Sequence, residues 1–239
     1  MPLLSLEWVT KRYPRGGRER TALRDVWLQV EAGELVSVWG RRRSGRTTLL
    51  RVAGGLDRPN EGTVRFDGRD LRHDRDGMLG DRIGYVRTSF NAAHGERVVD
   101  HVALGLLARG VQLDRARARA DAVLGRAGAA ACADLEPHEL GMAEVARVAI
   151  ARAMVAEPRL LLVDEPTKGV DLSERDWILA LLRSIANEGT AVLMTVGEAT
   201  ELSGADRALS IAEGELRGAA APADARVVPL RRVRAGPWS

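Results

Sequence analysis

Short apolar runs alternate with helical periodicities along most of the chain. Runs of about four to eight residues that are apolar throughout, or alternate with polar residues, are typical of strands, whereas apolar residues spaced three and four apart are typical of amphipathic helices. The runs predict strands over residues 3–9, 26–30, 35–39, 62–66, 83–86, 160–163, 191–196 and 208–211. The periodicities predict helices over residues 47–53 and 177–186, and a helical stretch over about 90–156.

The order of these elements predicts the fold class. Strands that alternate with helices form a mostly parallel sheet, so we expect an α/β domain that is interrupted by the helical stretch. Residues 35–39 are apolar except for Ser37 and residues 160–163 are apolar throughout, a composition that is typical of strands buried on both faces. Two glycine turns indicate hairpins, Asp67-Gly68 after an edge strand and Glu213-Gly214 near the end of the domain.

The composition is that of a globular protein without a disulfide framework. Hydrophobic residues make up 45% of the 239 positions, too many for a disordered chain. Cys132 is the single cysteine, so no internal disulfide or cysteine-based metal cluster is possible, and we expect a small buried side chain there. The net charge of +3 is too small to indicate a nucleic-acid partner. Only Lys11 and Lys168 are lysines, a bias that we ascribe to codon usage.

The sequence predicts neither a secretion signal nor a membrane span. Residues 1–13 contain Glu7 and lack both a basic start and a long apolar core. No apolar run approaches the ~18–20 residues of a membrane-crossing helix. We therefore expect a cytoplasmic protein, in which any contact with the inner face of the cell membrane comes through a partner. A folded domain is expected over residues 1–218, and the Ala-, Pro- and Arg-rich residues 219–239 are expected to form a loosely ordered basic tail.

A loop bounded by glycines joins the strand at 35–39 to the helix at 47–53. It reads Gly40-Arg41-Arg42-Arg43-Ser44-Gly45-Arg46-Thr47 and matches the P-loop pattern G-x-x-x-x-G-K-[ST] except at the lysine, which is Arg46. Backbone N–H groups of such a loop and the positive end of the helix dipole bind phosphates. Arginines at a helix N-terminus are unfavourable unless an anion compensates them. The loop therefore either binds a triphosphate or turns its arginines into solvent.

An acidic pair, Asp164-Glu165, directly follows the apolar run at 160–163. With several other stretches it resembles the ATP-binding subunits of ABC transporters, above all the lipoprotein-release and macrolide-export branch, over residues 4–216. These stretches are Gly54-Gly55-Leu56-Asp57-Arg58-Pro59, Pro137-His138-Glu139-Leu140, Arg147-Val148-Ala149-Ile150-Ala151-Arg152-Ala153 and Asp164-Glu165-Pro166-Thr167. The resemblance implies a P-loop NTPase core with a mostly parallel sheet, an N-terminal antiparallel β subdomain and an α-helical subdomain at about 90–156.

The resemblance also implies cofactors, partners and roles for single residues. ATP and Mg²⁺ are the implied cofactors, and a membrane permease and a second ATP-binding subunit are the implied partners. The nucleotide would contact Tyr13, which stacks on adenine, and Gly40, Arg41, Arg42, Arg43, Ser44, Gly45, Arg46, Thr47 and Thr48. Thr47 and Asp164 would bind Mg²⁺, Glu165 would be the catalytic base, and Asp171 would make contacts across a dimer.

Four motifs depart from the family pattern, namely the P-loop, the Q-loop, the switch position and the signature, and by the resemblance all lie near the γ-phosphate. The P-loop lysine is Arg46, and Arg43 stands where glycine is usual, so a positive φ there would cost roughly 1–2 kcal/mol. Thr88 replaces the Q-loop glutamine with a shorter side chain at the metal site, and Gly197 replaces the switch histidine. The signature L-S-G-G-Q reads Leu140-Gly141-Met142-Ala143-Glu144, in which an acid would repel a triphosphate.

These departures leave two functions open. One is an ATP-binding subunit that couples nucleotide binding to a permease, with impaired hydrolysis. The other is a non-catalytic pseudo-ATPase with a structural or regulatory role in a heteromeric transporter. Two subunits of this family enclose two ATP molecules, and each site joins one P-loop to the signature of the other subunit. A homodimer would carry every departure in both sites, so the sequence favours a heterodimer with an intact subunit.

Overall fold

The computed structural model describes residues 1–73, 82–87 and 95–218, which form two sheets and the helices packed on them. The strands are β1 (Leu4–Arg15), β2 (Arg18–Val30), β3 (Leu35–Gly40), β4 (Glu61–Phe66), β5 (Arg69–Asp70), β6 (Ile83–Arg87), β7 (Leu160–Asp164), β8 (Ala191–Val196), β9 (Arg207–Ala212) and β10 (Glu215–Arg217). The α-helices are α1 (Arg46–Ala53), α2 (Val98–Leu107), α3 (Leu113–Arg126), α4 (Met142–Met154) and α5 (Leu172–Asn187).

The two sheets differ in strand direction, as the sequence predicts. β1, β2, β4 and β5 form an antiparallel sheet in the order β2-β1-β4-β5. The other six strands form a sheet in the order β10-β9-β3-β8-β7-β6, in which only the hairpin strand β10 runs antiparallel to its neighbour. The predicted α/β class, with a mostly parallel sheet and an antiparallel N-terminal sheet, is confirmed.

The central strands β3, β7 and β8 of the parallel sheet are buried on both faces, because they are composed mainly of apolar residues. Leu162 of β7 packs toward α1 and the antiparallel sheet, while its neighbour Leu161 packs toward α4 and α5. α2, α3 and α4 enclose a third apolar cluster, in which Cys132 is buried as predicted. Among the described residues, no helix is long and apolar enough to cross a membrane. The predicted tail at 219–239 lies outside the described residues.

Two elements are longer than their apolar patterns predict. β1 and β2 pair as far as Arg15 and Arg18, well beyond residues 3–9 and 26–30. The outer part of this hairpin is polar and largely exposed, so it shows no apolar alternation. α5 begins at Leu172 rather than at residue 177, because the Asp171 carboxylate accepts a hydrogen bond from the Glu174 N–H at 3.0 Å and caps the helix.

The carboxyl ends of three neighbouring strands place the predicted motifs at one edge of the sheet. β8 lies between β3 and β7, with Val196 opposite Trp39 and Thr195 opposite Asp164. The P-loop after β3, the acidic pair at the end of β7 and Gly197 after β8 are therefore neighbours. In open parallel sheets, ligands bind at this edge.

Candidate functional site

Two glycines hold the P-loop in a conformation that no other residue fits. Gly45, just before α1, has a φ of 115°, and an added Cβ would lie 2.4 Å from the carbonyl oxygen of Ala22. At Gly40 an added Cβ would lie 2.6 Å from the carbonyl oxygen of Ile211. Both contacts are shorter than van der Waals distance, so the two fixed glycines of the pattern have a steric cause.

A basic cavity of about 290 Å³ opens beside this loop. Its lining residues are Tyr13, Arg20, Ala22, Arg42, Arg43, Gly45, Arg46, Thr47, Thr48, Glu165 and Lys168. Five of these side chains are cationic and one is anionic, so the cavity favours a ligand that carries several negative charges. Arginine pairs well with phosphate oxygens, which makes a polyphosphate the best chemical match.

The arginines of the loop fall into two groups. Arg41, Arg42 and Arg43 are exposed, whereas Arg46 at the start of α1 is only 7% exposed. Arg43 has a φ of 66°, the conformation for which the sequence analysis predicts a strain cost. Its carbonyl oxygen accepts a hydrogen bond from the Arg20 side chain at 2.9 Å. Arg20 thus connects β2 to the loop from outside the P-loop motif.

The side chain of Arg46 crosses the site instead of extending into solvent. Its Nη1 donates to the carbonyl oxygen of Val196 at 2.5 Å. Its Nη2 forms an ion pair with Glu165 Oε1. Lys168, three residues beyond this acid, approaches the other carboxylate oxygen at 3.3 Å. Glu165 therefore lies between two cations.

Thr195 of β8 fixes the acidic pair at the end of β7. Its hydroxyl donates to Asp164 Oδ1 at 2.8 Å, and its carbonyl oxygen accepts the Glu165 N–H at 3.1 Å. Glu165 has a φ of 47°, so the backbone turns sharply between the two carboxylates. The turn directs the two side chains differently, Asp164 toward β8 and Glu165 toward Arg46.

Tyr13 lies at the edge of the cavity and is held by Asp57. Its hydroxyl donates to Asp57 Oδ2 at 2.5 Å, and Lys11 Nζ lies 4.9 Å from the ring centroid. The hydrogen bonds from Arg51 hold the pKa of Asp57 well below its usual range, at about 2. Burial and the Asp57 hydrogen bond raise the pKa of Tyr13, so its hydroxyl stays protonated.

The loop after β8 is held by the buried carboxylate of Glu201. One oxygen accepts the N–H groups of Gly197 and Glu198 at 3.2 and 3.1 Å. The other accepts the hydroxyl of Thr167, which follows the acidic pair in sequence. On the opposite side, the indole N–H of Trp39 donates to the Gly197 carbonyl oxygen at 3.2 Å. Gly197 itself offers no side chain to the site.

The signature segment does not line the cavity. Glu144 Oε2 accepts the N–H of Gly141 at 2.8 Å, so this acid caps its own helix α4. Met142 is 56% exposed, and an added Cβ on Gly169 would lie 3.1 Å from its methyl carbon. Asp171, which caps α5, lies outside the cavity lining as well. The remaining signature residues are Leu140, just before α4, and Ala143 in its first turn, and both are partly buried. Thr88 lies outside the described residues.

Several residues of the site are missing from the sequence interpretation. Arg20, Ala22 and Lys168 line the cavity, Thr195 holds the acidic pair after β7, and Glu201 holds the loop after β8. No motif marks them, because they meet the P-loop only through the fold. The rarity of lysine in this arginine-rich chain is the one sequence signal that Lys168 carries, and codon usage alone also accounts for it.

The described residues contain no group of three or more His, Cys, Asp or Glu side chains that could hold a metal ion. Thr47 and Asp164 offer a hydroxyl and a carboxylate, which are oxygen ligands suited to Mg²⁺. Mg²⁺ usually binds through one or two protein oxygens together with phosphate oxygens and water. The donors present therefore fit a Mg²⁺ ion that arrives with a nucleotide better than a resident metal.

The amino-acid sequence matches known proteins over most of its length. Residues 23–168 match the family model described as ABC transporter. The lipoprotein-releasing system ATP-binding protein LolD of Chromohalobacter salexigens is 37% identical over 219 residues, which are 90% of this chain and 92% of that protein. The macrolide export ATP-binding/permease protein MacB 1/2 of Paracoccus denitrificans is 32% identical, but the match covers only 33% of that longer protein.

The fold matches solved structures equally well. The ATP-binding cassette MJ0796, solved as a dimer in a post-hydrolysis state bound to ADP and Pi, superposes with a TM-score of 0.82 at 30% identity, over 89% of this chain and 96% of that one. The chain belongs to the ABC transporter family and has the fold of its ATP-binding cassettes. The resemblance predicted from the motifs is confirmed.

Proposed function

We propose that this chain is an ATP-binding subunit that binds MgATP in the basic cavity and couples binding to a membrane permease at the cytoplasmic face. The observation that carries the proposal is the cavity itself, which places five cations beside a P-loop at the carboxyl edge of a parallel sheet. Its ligand needs several negative charges, and a nucleoside triphosphate supplies them. The relatives named above are ATP-binding proteins of transporters, which supports the same function.

Each predicted residue has a part in this proposal. Tyr13 stacks on the adenine, and the loop from Gly40 to Thr48 binds the phosphates through its backbone and its arginines. Thr47 and Asp164 hold Mg²⁺, which neutralises phosphate charge when bound, with Thr88 as a further predicted contact. Glu165 orients the attacking water and accepts its proton.

We infer that hydrolysis is impaired rather than absent. Glu165 is present, but its carboxylate is paired with Arg46 and lies near Lys168, so it has to separate from Arg46 before it can contact an attacking water. Position 197 supplies no imidazole. On the signature side, Glu144 brings a negative charge to the N-terminus of α4, where it already satisfies the Gly141 N–H.

The partner we propose is a different ATP-binding subunit with intact motifs. Met142 and Leu172 are 56% and 72% exposed, and both lie beside Gly169-Val170-Asp171, the segment that the family uses across its dimer. Exposed apolar side chains in such a place support an interface. In a heterodimer, the departures of this chain are divided between the two composite sites.

A non-catalytic, structural role is the second candidate, favoured by the Arg46–Glu165 ion pair and by the self-capping of Glu144. Purified wild type and Glu165→Gln separate the two. We expect slow turnover that falls at least ~10²-fold in Glu165→Gln, while a fluorescent ATP analogue binds more tightly because Arg46 loses its internal anion. Glu188→Gln, an exposed acid at the end of α5, serves as the control.

The possible results differ clearly. Turnover that is zero in wild type, with binding retained, supports the pseudo-ATPase. Turnover that survives Glu165→Gln contradicts the role of Glu165, and absence of binding at millimolar ATP contradicts the proposed ATP-binding function and favours the purely structural role. Light scattering of Glu165→Gln with ATP tests the partner, because a stable homodimer contradicts the proposed heterodimer.

A further inference from the structure

The backbone at position 197 does not require glycine. Its φ lies outside the left-handed region, so an L-side chain is conformationally allowed there. Among the described residues, and apart from the two residues adjacent in sequence, one heavy atom lies within 4 Å of an added Cβ, and it is Arg46 Nη1 at 3.6 Å. The space that a larger side chain at 197 would need is therefore next to the Arg46 guanidinium.

The guanidinium is fixed in that space by two partners from different strands. Nη1 donates to the carbonyl oxygen of Val196, the last residue of β8, and Nη2 pairs with Glu165 after β7. The side chain is 7% exposed, so solvent screens these contacts only weakly. Arg46 thus reaches from the P-loop to the point at which β7 and β8 end.

Arginine suits this position and lysine does not. A guanidinium presents several N–H donors in a rigid plane and contacts two acceptors at once. A lysine ammonium is a compact charge, so it would contact either the Val196 carbonyl or the Glu165 carboxylate, and not both. Arginine at position 46 therefore contacts two acceptors at once, whereas the lysine of the family pattern would contact one of them.

We propose that Arg46 is the positioning residue for Glu165, and that Gly197 is the complementary change that leaves room for it. Two separate departures from the family pattern then have one structural cause. Arg46 holds Glu165 from the side of the P-loop. Position 197, after β8, has no side chain that could hold it instead. A phosphate that engages Arg46 competes with this hold, which connects occupancy of the P-loop with the freedom of Glu165. The inference uses the proposed function only for the role of Glu165 as base.

A double-mutant cycle tests the pair without any nucleotide. We expect Arg46→Lys to lower the melting temperature by about 5 °C, because one of the two partners of the buried guanidinium is lost. Gly197→His should lower it similarly, because the imidazole displaces the guanidinium. The double variant should lose clearly less than the sum of both, since an ammonium leaves room for the imidazole. Gly197→Ala is the matched control, because its methyl group fits at 3.6 Å.

Turnover at saturating MgATP provides a second readout, which would not change if Arg46 had only a structural role. We expect the double variant to hydrolyse ATP at least tenfold faster than either single variant. Additive losses in melting temperature would overturn the pairing of the two positions. Coupled melting temperatures with a double variant no faster than the slower single variant would overturn the positioning of Glu165. Failure of wild type to bind ATP contradicts the proposed function instead and leaves the thermal cycle interpretable.

Discussion

Arg43 keeps a backbone conformation that suits glycine, and it does so inside the loop that defines the site. Its φ of 66° lies in the left-handed region, while its side chain is exposed and its carbonyl oxygen is held by Arg20. Strain of this kind persists at functional sites when surrounding contacts hold it. At Arg43 the gain is one more cation in the cavity lining.

Replacing this residue should separate stability from binding. We expect Arg43→Gly to raise the free energy of unfolding by about 0.5–1 kcal/mol, because relief of left-handed strain exceeds the extra entropy of glycine in the unfolded chain. Affinity for a nucleotide should fall, because the cavity loses a cation. Urea unfolding and nucleotide titration measure the two effects. Arg41→Gly, at an ordinary φ and outside the cavity lining, should lower stability instead, and a rise there would contradict the strain argument.

The side chain of Trp177 lies where α3, α4 and α5 pack against one another. Trp177 of α5 stacks with the guanidinium of Arg147 from α4 at 4.5 Å, and Arg147 also forms an ion pair with Glu174. Gly128, just after α3, has a φ of 63°, and an added Cβ would lie 2.6 Å from the indole ring. The packing of α3, α4 and α5 thus depends on a glycine that has no room for a methyl group.

We expect Gly128→Ala to lower the free energy of unfolding by about 2 kcal/mol, because it combines left-handed strain with displacement of Trp177. Urea unfolding followed by circular dichroism measures the loss. Gly125→Ala in the last turn of α3 is the matched control: nothing lies within 4 Å of its added Cβ, so helix propensity should raise stability by about 0.5–1 kcal/mol. Equal losses in both variants would contradict the role of the indole contact.

The elements that the sequence predicted well are those whose signal is local. Residues 35–39 and 160–163 are buried on both faces because each segment is almost entirely apolar, and the P-loop is recognisable because its two glycines are sterically fixed. The Arg46 side chain could not be placed in advance, because its partner Val196 is 150 positions away. The capping role of Glu144 was not predicted for another reason, because only the repulsion between its negative charge and a triphosphate was considered.

Charge pairs spread over the whole molecule set its response to acid. Hydrogen bonds from Arg51 lower the pKa of Asp57, and Arg117 does the same for Asp100; for Asp206, the Leu35 N–H is the larger cause and Arg183 the second. A carboxyl group with a lowered pKa in the folded state contributes stability above its unfolded pKa of about 3.9 and loses that contribution as pH falls. Burial lowers the pKa of His101, aided by Arg152, so stability is also lost as pH falls below about 6.5.

Asp57→Asn isolates one of these contributions. We expect it to lower the free energy of unfolding at pH 7 by about 1–2 kcal/mol, a value reduced for the partial exposure of Arg51. The difference from wild type should shrink between pH 4 and pH 2, because the Asp57 pKa is about 2 in the folded protein. Chemical unfolding at a series of pH values measures it. A difference that stays constant down to pH 2 would contradict the ion-pair explanation.

Both lysine amines of the protein lie in or beside the cavity, so a chemical label on these amines reports on the cavity. Lys11 lies over the Tyr13 ring and Lys168 lines the cavity with 69% of its side chain exposed, while the other basic side chains are arginines. Reductive methylation with ¹³C-formaldehyde modifies amines and leaves guanidinium groups unchanged. Apart from the α-amino group, every methyl signal in the resulting NMR spectrum then comes from an amine in or beside the cavity. Ligand binding can be followed on the native sequence, without introducing a cysteine or a fluorophore.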